Sequence, residues 1–277
     1  DHPYKDINMT MIINRSGASR ASVYRNYPSK ESIIMNITQN LTDELSKKFR
    51  SSILLIPFGL IQYGEVRFGS VGGCNIGKRS LDTFDDAFVK AGVDVFFNDS
   101  GEKVYKVARR PKKNIMLQDI SVTTVEALIT YLAFAKNYDY EITIYQAATE
   151  PHVKNLVDFL NNAGAHITRG IDHTLTIQPT EEIKIQNEEF SIVSDYIEAG
   201  TYFVIGATAD NSEILLKNVN VDYLSAMYNI ADRIGINFKI LDKHTIKVNS
   251  FNKENYKATK LQTMIFPGFP TDLQSAF

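Results

Sequence analysis

One pattern recurs three times along the 277 residues of the chain. It consists of an amphipathic helix, a glycine just after the last apolar residue of that helix, a strand, a polar turn and a second strand. The glycines are Gly92, Gly164 and Gly235, which lie 72 and 71 residues apart. Each suits the position after a helix end, where φ is positive and a side chain would clash. A repeat of this length predicts small α+β modules, each with one helix face buried on its own sheet.

The strands of the three repeats are predicted from alternating apolar and polar residues, which is the pattern of a half-buried strand. They cover residues 93–97 and 103–107, residues 165–168 and 174–177, and residues 236–240 and 245–248.

The overall composition excludes several classes of protein. Apolar residues make up 44% and charged residues 22%, as in a soluble globular chain, and no run reaches the roughly 18 apolar residues of a membrane span. A net charge of −2 gives the whole chain no electrostatic attraction to nucleic acid. The single cysteine, Cys74, excludes an internal disulfide and fits a cytoplasmic protein. The five histidines share no metal-ligand spacing, so no metal or cofactor is expected.

Residues 1–43 do not follow the repeat. Residues 9–15 are predicted to form a short helix, Gly17 a turn, and Ser19 the N-cap of a second helix over residues 20–26. Two short helices joined by a turn with a glycine are the helix-turn-helix arrangement.

Residues 16–31 resemble the DNA-binding end of TetR-type repressors. The resemblance implies that one group of side chains faces DNA bases and phosphates and that a lysine reaches a further phosphate. These residues are Arg20, Ser22, Tyr24 and Arg25, followed by Lys30. The alternative is a helical hairpin without function, because nothing in the sequence supplies the dimer that DNA binding usually needs.

Four motifs after residue 43 occur in the order of one enzyme family. They are a helix start with Arg50, the loop at residues 71–82, residues 195–201, and residues 266–274. Together they resemble the UDP-N-acetylglucosamine 1-carboxyvinyltransferases, an enolpyruvyl transferase family, over residues 44–277. The loop Val-Gly-Gly-Cys-Asn-Ile-Gly-Lys-Arg-Ser-Leu-Asp and the segment Phe-Pro-Gly-Phe-Pro-Thr-Asp-Leu-Gln are the most specific matches.

The resemblance implies an α+β fold, an inside-out α/β barrel of repeated βαβαββ modules in two domains. The glycine repeat agrees with this architecture independently. We therefore expect three parts: a helix-turn-helix segment at 1–43, a partial catalytic-loop domain at 44–192, and a partial second domain at 193–277.

The implied activity is transfer of enolpyruvate from phosphoenolpyruvate to the 3-hydroxyl of UDP-N-acetylglucosamine, the first committed step of peptidoglycan synthesis. By resemblance, Cys74 is the acid and Asp272 accepts the hydroxyl proton, while Arg50 and Arg79 hold phosphoenolpyruvate. The residues implied to contact the nucleotide sugar are Asp82, Ser121, Val122, Thr123 and Thr271.

Each of these side chains has a simpler interpretation. Cys74 could be a buried apolar residue, and Arg50 could lie on a helix surface. Asp82 and Asp272 could cap the helices that begin beside them. Glu150, in a weaker match before a predicted helix, is interpreted as structural.

The resemblance is incomplete. The family's first segment, with a Lys-Asn pair that holds both substrates, is replaced by the helix-turn-helix stretch, and later arginines of the family do not appear. Val71 and Ser80 replace loop prolines, Thr123 replaces a glycine, and Tyr196 stands where an arginine is common. Because each lost electrostatic donor costs a factor of about 10² to 10³ in rate, we expect little turnover from the chain alone.

Two other functions remain open. One is a DNA-binding regulator with a transferase-derived body, which would contact DNA through residues 15–30 with salt-dependent affinity. The other is a non-functional fusion of two gene fragments, suggested by the change of pattern near residues 40–44.

Overall fold

The computed structural model describes residues 7–30, 32–33, 36, 50–68, 81–180 and 182–277. The helices are α1 (Met9–Ser16), α2 (Arg20–Asn26), α3 (Ile56–Tyr63), α4 (Asp82–Lys90), α5 (Val122–Phe134), α6 (Pro151–Asn162), α7 (Tyr196–Thr208) and α8 (Ser225–Ile234). The strands are β1 (Glu65–Phe68), β2 (Val93–Phe97), β3 (Lys103–Val107), β4 (Asn114–Met116), β5 (Ile142–Tyr145), β6 (His166–Arg169), β7 (Thr174–Gln178), β8 (Glu213–Lys217), β9 (Asn237–Asp242) and β10 (Thr245–Asn249). Short 3₁₀ helices cover Arg50–Leu55, Val221–Leu224, Lys253–Asn255 and Thr271–Leu273.

The first two helices form as the sequence predicts. Gly17 follows α1 with φ of 68°, and the Oγ of Ser19 accepts the backbone N–H of Ser22 at 3.2 Å, capping α2. The capping satisfies one of the backbone donors that a helix start leaves without a partner. Ile13 of α1 and Val23 of α2 are buried, so each helix has an apolar side that is shielded from water.

The predicted three-fold repeat is confirmed. The three glycines after α4, α6 and α8 have φ of 85°, 99° and 92°, a conformation that residues with a side chain rarely adopt. Each is followed by an antiparallel strand pair: β2 with β3, β6 with β7, and β9 with β10. The observed strand bounds differ from the predicted ones by at most two residues.

The three sheets share one strand order. The first is β1-β3-β2 and the third is β8-β10-β9, so the last strand of each repeat lies between the other two. The middle sheet, β4-β5-β7-β6, has this order with one strand added at its edge. That strand, β4, pairs in parallel with β5, whereas the other pairings are antiparallel. Along the chain, β4-α5-β5-α6-β6-β7 is therefore a full βαβαββ module.

The chain divides into two compact units. The first comprises residues 1–146, 165–170 and 174–182, and the second comprises residues 147–164, 171–173 and 183–277. The expected domain boundary at residues 192 and 193, and the one at residues 43 and 44, stay predictions.

Helix α5 forms the centre of the first unit. It packs against α3 and α4, and its side chains from Thr124 to Phe134 are buried except for Glu126. Next to it, Phe84 and Phe88 of α4 stack with centroids 4.7 Å apart, and both meet the ring of Tyr105 edge-on. A helix that is apolar on every side is stable only when it is covered on every side, which explains its central position.

The second unit is built around Phe203 of α7, which is fully buried. Gly206 of the same helix lets β8 and β10 approach, because an added Cβ would stand 2.6 Å from the side chain of Val248. The rings of Phe238 and Phe277 flank Phe203. The core of this unit therefore depends on close approach of α7 to its sheet.

Candidate active site

The predicted base, Asp272, is carried by the 3₁₀ helix Thr271–Leu273, which packs directly on α7. The contact depends on Gly200, because a Cβ added there would stand 2.5 Å from Cδ1 of Leu273. Leu273 is 1% exposed, whereas Asp272 and Thr271 are exposed. A buried leucine therefore anchors the turn and leaves the neighbouring carboxylate accessible to a ligand.

The first turn of α7 lies in the same region of the second unit. Asp195 is the N-cap, and its carboxylate accepts the backbone N–H groups of Ile197 and Glu198 at 2.8 and 3.2 Å. The next residue, Tyr196, is half-buried, and its ring meets Phe266 at a centroid distance of 6.1 Å and an angle of 68°. Tyr196 therefore has its ring held between helix α7 and the turn that contains Phe266.

Negative charge surrounds this tyrosine. Burial, with smaller contributions from the carboxylates of Glu150, Asp272 and Asp195 in that order, raises the pKa of Tyr196 to about 12. The Oε2 atom of Glu150 is shielded from solvent and has no hydrogen-bond partner among the described residues. The phenol is therefore a neutral hydrogen-bond donor at physiological pH, beside three carboxylates.

The predicted nucleotide contacts at residues 121–123 are at the start of α5 in the first unit. Ser121 is the N-cap, and its Oγ accepts the backbone N–H and the hydroxyl of Thr124. Val122 and Thr123 are the first two residues of the helix, where backbone N–H groups have no partner within the helix. This end of α5 therefore has the geometry that suits a phosphate group.

The capping interpretation of the two aspartates is not borne out. Helix α4 begins at Asp82 itself, with Leu81 as N-cap, one residue earlier than the sequence suggested. The 3₁₀ helix Thr271–Leu273 has Pro270 as N-cap, and neither helix has a side-chain capping bond. Asp82 is exposed in the first turn of α4, where its charge is favourable next to the helix N-terminus.

Two predicted residues, Cys74 and Arg79, lie outside the described residues, as do the substituted loop positions Val71 and Ser80. Arg50 is the first residue of the 3₁₀ helix Arg50–Leu55, in agreement with the predicted helix start. The structure does not describe its side chain. Their predicted roles stay predictions.

The residues predicted to contact DNA are on α2 and just after it. Arg20, Ser22, Tyr24 and Arg25 are exposed, and the Nζ of Lys30 donates to the carbonyl oxygen of Ile7 at 3.0 Å. This exposure agrees equally with a DNA-binding face and with a solvated helix surface.

The described residues contain no group of three or more His, Cys, Asp or Glu side chains placed to hold a metal ion. None of the helices in the described part of the chain is long and apolar enough to cross a membrane.

Tyr196 and Glu150 were not predicted as site residues. Tyr196 was noted only as a substitution, and Glu150 was interpreted as structural. The local sequence gave a signal for Tyr196 alone, since it begins a helix directly after an N-cap aspartate. Glu150 and Tyr196 are 46 residues apart in the sequence, and the charge of Glu150 raises the pKa of Tyr196. A local sequence pattern does not reveal such a relationship.

The profile of one protein family matches most of the chain. The family is described as EPSP synthase (3-phosphoshikimate 1-carboxyvinyltransferase), and the match covers residues 20–277. It begins at the first residue of α2 and so overlaps the segment that resembles a helix-turn-helix. The resemblance of that segment to TetR-type repressors stays a prediction.

Relatives of the chain carry the name of the predicted family. A UDP-N-acetylglucosamine 1-carboxyvinyltransferase 1 of Caldanaerobacter subterraneus is 34% identical over 236 residues, which are 84% of this chain and 54% of the relative. A UDP-N-acetylglucosamine 1-carboxyvinyltransferase of Thermotoga maritima is 33% identical over 239 residues, 86% of this chain and 55% of the relative. The chain therefore spans about half the length of the curated relatives it matches.

Solved structures show the same fold. The enolpyruvyl transferase NikO of Streptomyces tendae superposes with a TM-score of 0.65 at 17% identity, over 84% of this chain and 54% of that one. An EPSP synthase of Acinetobacter baumannii gives a TM-score of 0.52 at 13% identity, over 72% of this chain and 46% of the other. The predicted α+β fold of enolpyruvyl transferases is confirmed. By its sequence, from residue 20 to its last residue, the chain belongs to the EPSP synthase family of enolpyruvyl transferases.

Proposed function

We propose that the chain carries part of the active site for transfer of enolpyruvate from phosphoenolpyruvate to the 3-hydroxyl of UDP-N-acetylglucosamine, with release of phosphate. The observation that carries the proposal is the similarity, over more than four fifths of the chain, to relatives named for this reaction. The exposed Asp272, held by Leu273 against Gly200, supports it from the geometry.

The reaction requires a base and an acid. The sugar hydroxyl adds to C2 of phosphoenolpyruvate, its proton leaves to a base, and the C3 methylene receives a proton. Loss of a C3 proton and expulsion of phosphate then restore the double bond. We propose Asp272 as the base, because its carboxylate is open to solvent, and Cys74 as the acid, because its loop matches the family motif.

Binding of the anionic groups is the second requirement. Arginine side chains match the geometry of phosphate and carboxylate, which supports Arg50 and Arg79 as the residues that hold phosphoenolpyruvate. We propose that the nucleotide sugar binds to residues at or near the starts of helices. Its proposed contacts are Asp82, Ser121, Val122, Thr123 and Thr271.

The proposed substrates also indicate where in the cell the protein acts. Phosphoenolpyruvate and nucleotide sugars are cytoplasmic metabolites, and a protein with a single cysteine fits a reducing compartment. We therefore propose a cytoplasmic enzyme of peptidoglycan synthesis, with phosphoenolpyruvate and UDP-N-acetylglucosamine as its partners. No described feature favours DNA over these substrates.

The test combines binding with turnover. UDP-N-acetylglucosamine binding is followed by NMR on the folded chain, and phosphate release from phosphoenolpyruvate is measured with and without the sugar. Asp272→Asn is expected to abolish sugar-dependent release and to leave binding within about tenfold. The matched control is Asp222→Asn, an exposed carboxylate in another 3₁₀ helix of the same unit.

If the Cys74→Ala substitution also abolishes sugar-dependent phosphate release, the result supports Cys74 as the acid. A folded chain that binds neither substrate at millimolar concentration would contradict the proposal. Binding without release would support the site and agree with the expectation of little turnover from the chain alone.

A further inference from the structure

A cavity of about 410 Å³ lies on the face of the first sheet opposite α4. Tyr105 of β3 points toward α4, and side chains alternate along a strand, so Val104 points to the opposite face. Val104 pairs with Arg67 of β1 on one side and with Phe96 of β2 on the other. It is 2% exposed, because the groups around it shield it from solvent. Val104 is therefore the floor of the cavity, and Arg67 and Phe96 form two of its sides.

The two sides suit a flat ring. Phe96 is 45% exposed, so much of its ring is available to a ligand. Neighbouring strands are about 4.8 Å apart, and β3 separates the strands of Arg67 and Phe96, which are therefore about 10 Å apart. A planar ring between these side chains can stack on the phenyl ring, and the guanidinium group can stack on its other face.

One end of the cavity is cationic. Lys106, two residues after Val104 on the same strand, forms an ion pair with Glu65 at 3.1 Å, and Arg67 contacts the same carboxylate at 3.3 Å. Two positive charges and one negative charge leave this end positive. Because both cations are more than half exposed, these ion pairs contribute little to stability, and either cation can turn to the anionic group of a ligand.

The other end of the cavity is the turn between β2 and β3. The Oδ1 atom of Asn98 accepts the backbone N–H groups of Ser100 and Glu102 at 3.1 and 2.9 Å, which holds the turn in one conformation. Asp99 and Ser100 line the cavity and are exposed. A carboxylate only accepts hydrogen bonds and a hydroxyl group can accept them, so this end suits the N–H groups of a ligand.

We propose that this cavity binds a guanine nucleotide. The base stacks on Phe96, and its N1–H and 2-amino groups donate to the carboxylate of Asp99. The phosphate lies at the opposite end, beside Arg67 and Lys106. The cavity volume is within the range of about 300–1,000 Å³ that is usual for small-molecule sites.

This site differs from the site of the proposed function. None of the described residues that line the cavity is among those proposed for enolpyruvyl transfer. Uracil, the base of UDP-N-acetylglucosamine, has no amino group and gives Asp99 a single donor. The inference therefore goes beyond the proposed function and concerns a second ligand.

The experiment titrates the full chain with guanosine monophosphate and follows the methyl signals of Val104 by NMR. Inosine monophosphate lacks only the 2-amino group, and guanosine lacks only the phosphate. We expect guanosine monophosphate to shift the Val104 signals and each of the other two compounds to bind about tenfold more weakly. UDP-N-acetylglucosamine should leave these signals unchanged.

Two pairs of variants assign the contacts. Phe96→Ala should weaken binding of guanosine monophosphate about tenfold, because it removes the stacked ring. Its control is Phe97→Ala, which removes a ring that is 69% exposed on the other face of the same strand. Lys106→Gln should weaken binding of the nucleotide several-fold and leave binding of guanosine unchanged. Its control is Lys112→Gln, which removes the same charge at an exposed position outside the cavity.

A further variant covers the case in which Phe96→Ala does not fold. Asp99→Asn changes an exposed side chain of the turn and should make guanosine and inosine monophosphates bind equally. Circular dichroism confirms that each variant is folded.

Three results would overturn the inference: unchanged Val104 signals at millimolar guanosine monophosphate, equal affinities for guanosine and inosine monophosphates, or equal losses in Phe96→Ala and Phe97→Ala. These failures differ from failure of the proposed function. A chain that binds UDP-N-acetylglucosamine but shows any of these results keeps its proposed function and loses the second site.

Discussion

Leu273 lies where a side chain of Gly200 would otherwise lie, with its Cδ1 2.5 Å from the position of an added Cβ. This contact fixes the turn that carries Asp272 on helix α7. Because Leu273 is 1% exposed, its side chain has little room to move away.

The first prediction concerns Gly200→Ala. Overpacking costs about 1–3 kcal/mol, whereas alanine gains about 1 kcal/mol in helix propensity. We expect a net loss of about 1 kcal/mol in the free energy of unfolding, measured by urea denaturation. Thr201→Ala, at the next and exposed position, should change it by less than about 0.5 kcal/mol. Equal effects of the two changes would contradict the packing role of Gly200.

The second prediction compares two glycines that follow helices. Gly92 and Gly235 have φ of 85° and 92°, so alanine at either position is strained by about 1–2 kcal/mol. A Cβ at Gly92 would also stand 2.3 Å from the carbonyl oxygen of Arg109, whereas a Cβ at Gly235 would meet nothing within 4 Å. Gly92→Ala should therefore destabilise the chain more than Gly235→Ala, as measured by urea denaturation. Equal losses for the two variants would show that backbone strain, and not the clash, dominates.

The third prediction concerns a polar network below the first sheet. The hydroxyl of Tyr105, a fully buried residue, donates to Asp85 at 2.7 Å, and Lys103 forms an ion pair with the same carboxylate. Asp85→Ala leaves the hydroxyl without its acceptor, so we expect a loss of about 1–3 kcal/mol in the free energy of unfolding. Combining it with Tyr105→Phe should recover part of this loss in a double-mutant cycle. Strictly additive losses would rule out coupling between the two groups.

The fourth prediction concerns alkaline pH. The pKa of Tyr196 is raised from 10 to about 12 in the folded chain, so between these values the unfolded chain loses the proton while the folded chain keeps it. The contribution of Tyr196 to stability is therefore complete below pH 10 and is lost as the pH rises toward 12. Unfolding measured across this range should show a smaller alkaline loss in Tyr196→Phe than in Tyr202→Phe, which changes an exposed ring of the same helix. Identical pH profiles of the two variants would contradict the raised pKa.

The sequence predicted the repeating elements because their signals are local. A positive-φ glycine after an amphipathic helix, followed by two alternating segments, specifies a hairpin within about 25 residues. The strand order could not be predicted in this way. The parallel pairing of β4 with β5 requires a crossover through α5, the helix that connects them. No pattern within a single strand predicts this crossover.

The candidate site was predictable only in part. Ser121 and Asp272 were both assigned through the resemblance to the family, and the role of Ser121 as the N-cap of α5 came from the structure. The position of Asp272 beside Tyr196, however, depends on the contact of Leu273 with Gly200, which are 73 residues apart. The placement of Glu150 near the same ring is likewise a tertiary effect.

The hairpin at the end of each repeat has a consequence for the order of folding. Strands β9 and β10 are joined by residues 243–244 alone, β6 and β7 by residues 170–173, and β2 and β3 by residues 98–102. Closing such short loops costs little chain entropy, so these pairs form within microseconds in isolated hairpins, before distant segments meet. The third strand of each repeat, β1, β5 or β8, is separated from the hairpin by a whole helix in the chain and joins a ribbon that already exists. Each repeat thus contains its own nucleus, and ribosomal synthesis presents the three nuclei one after another.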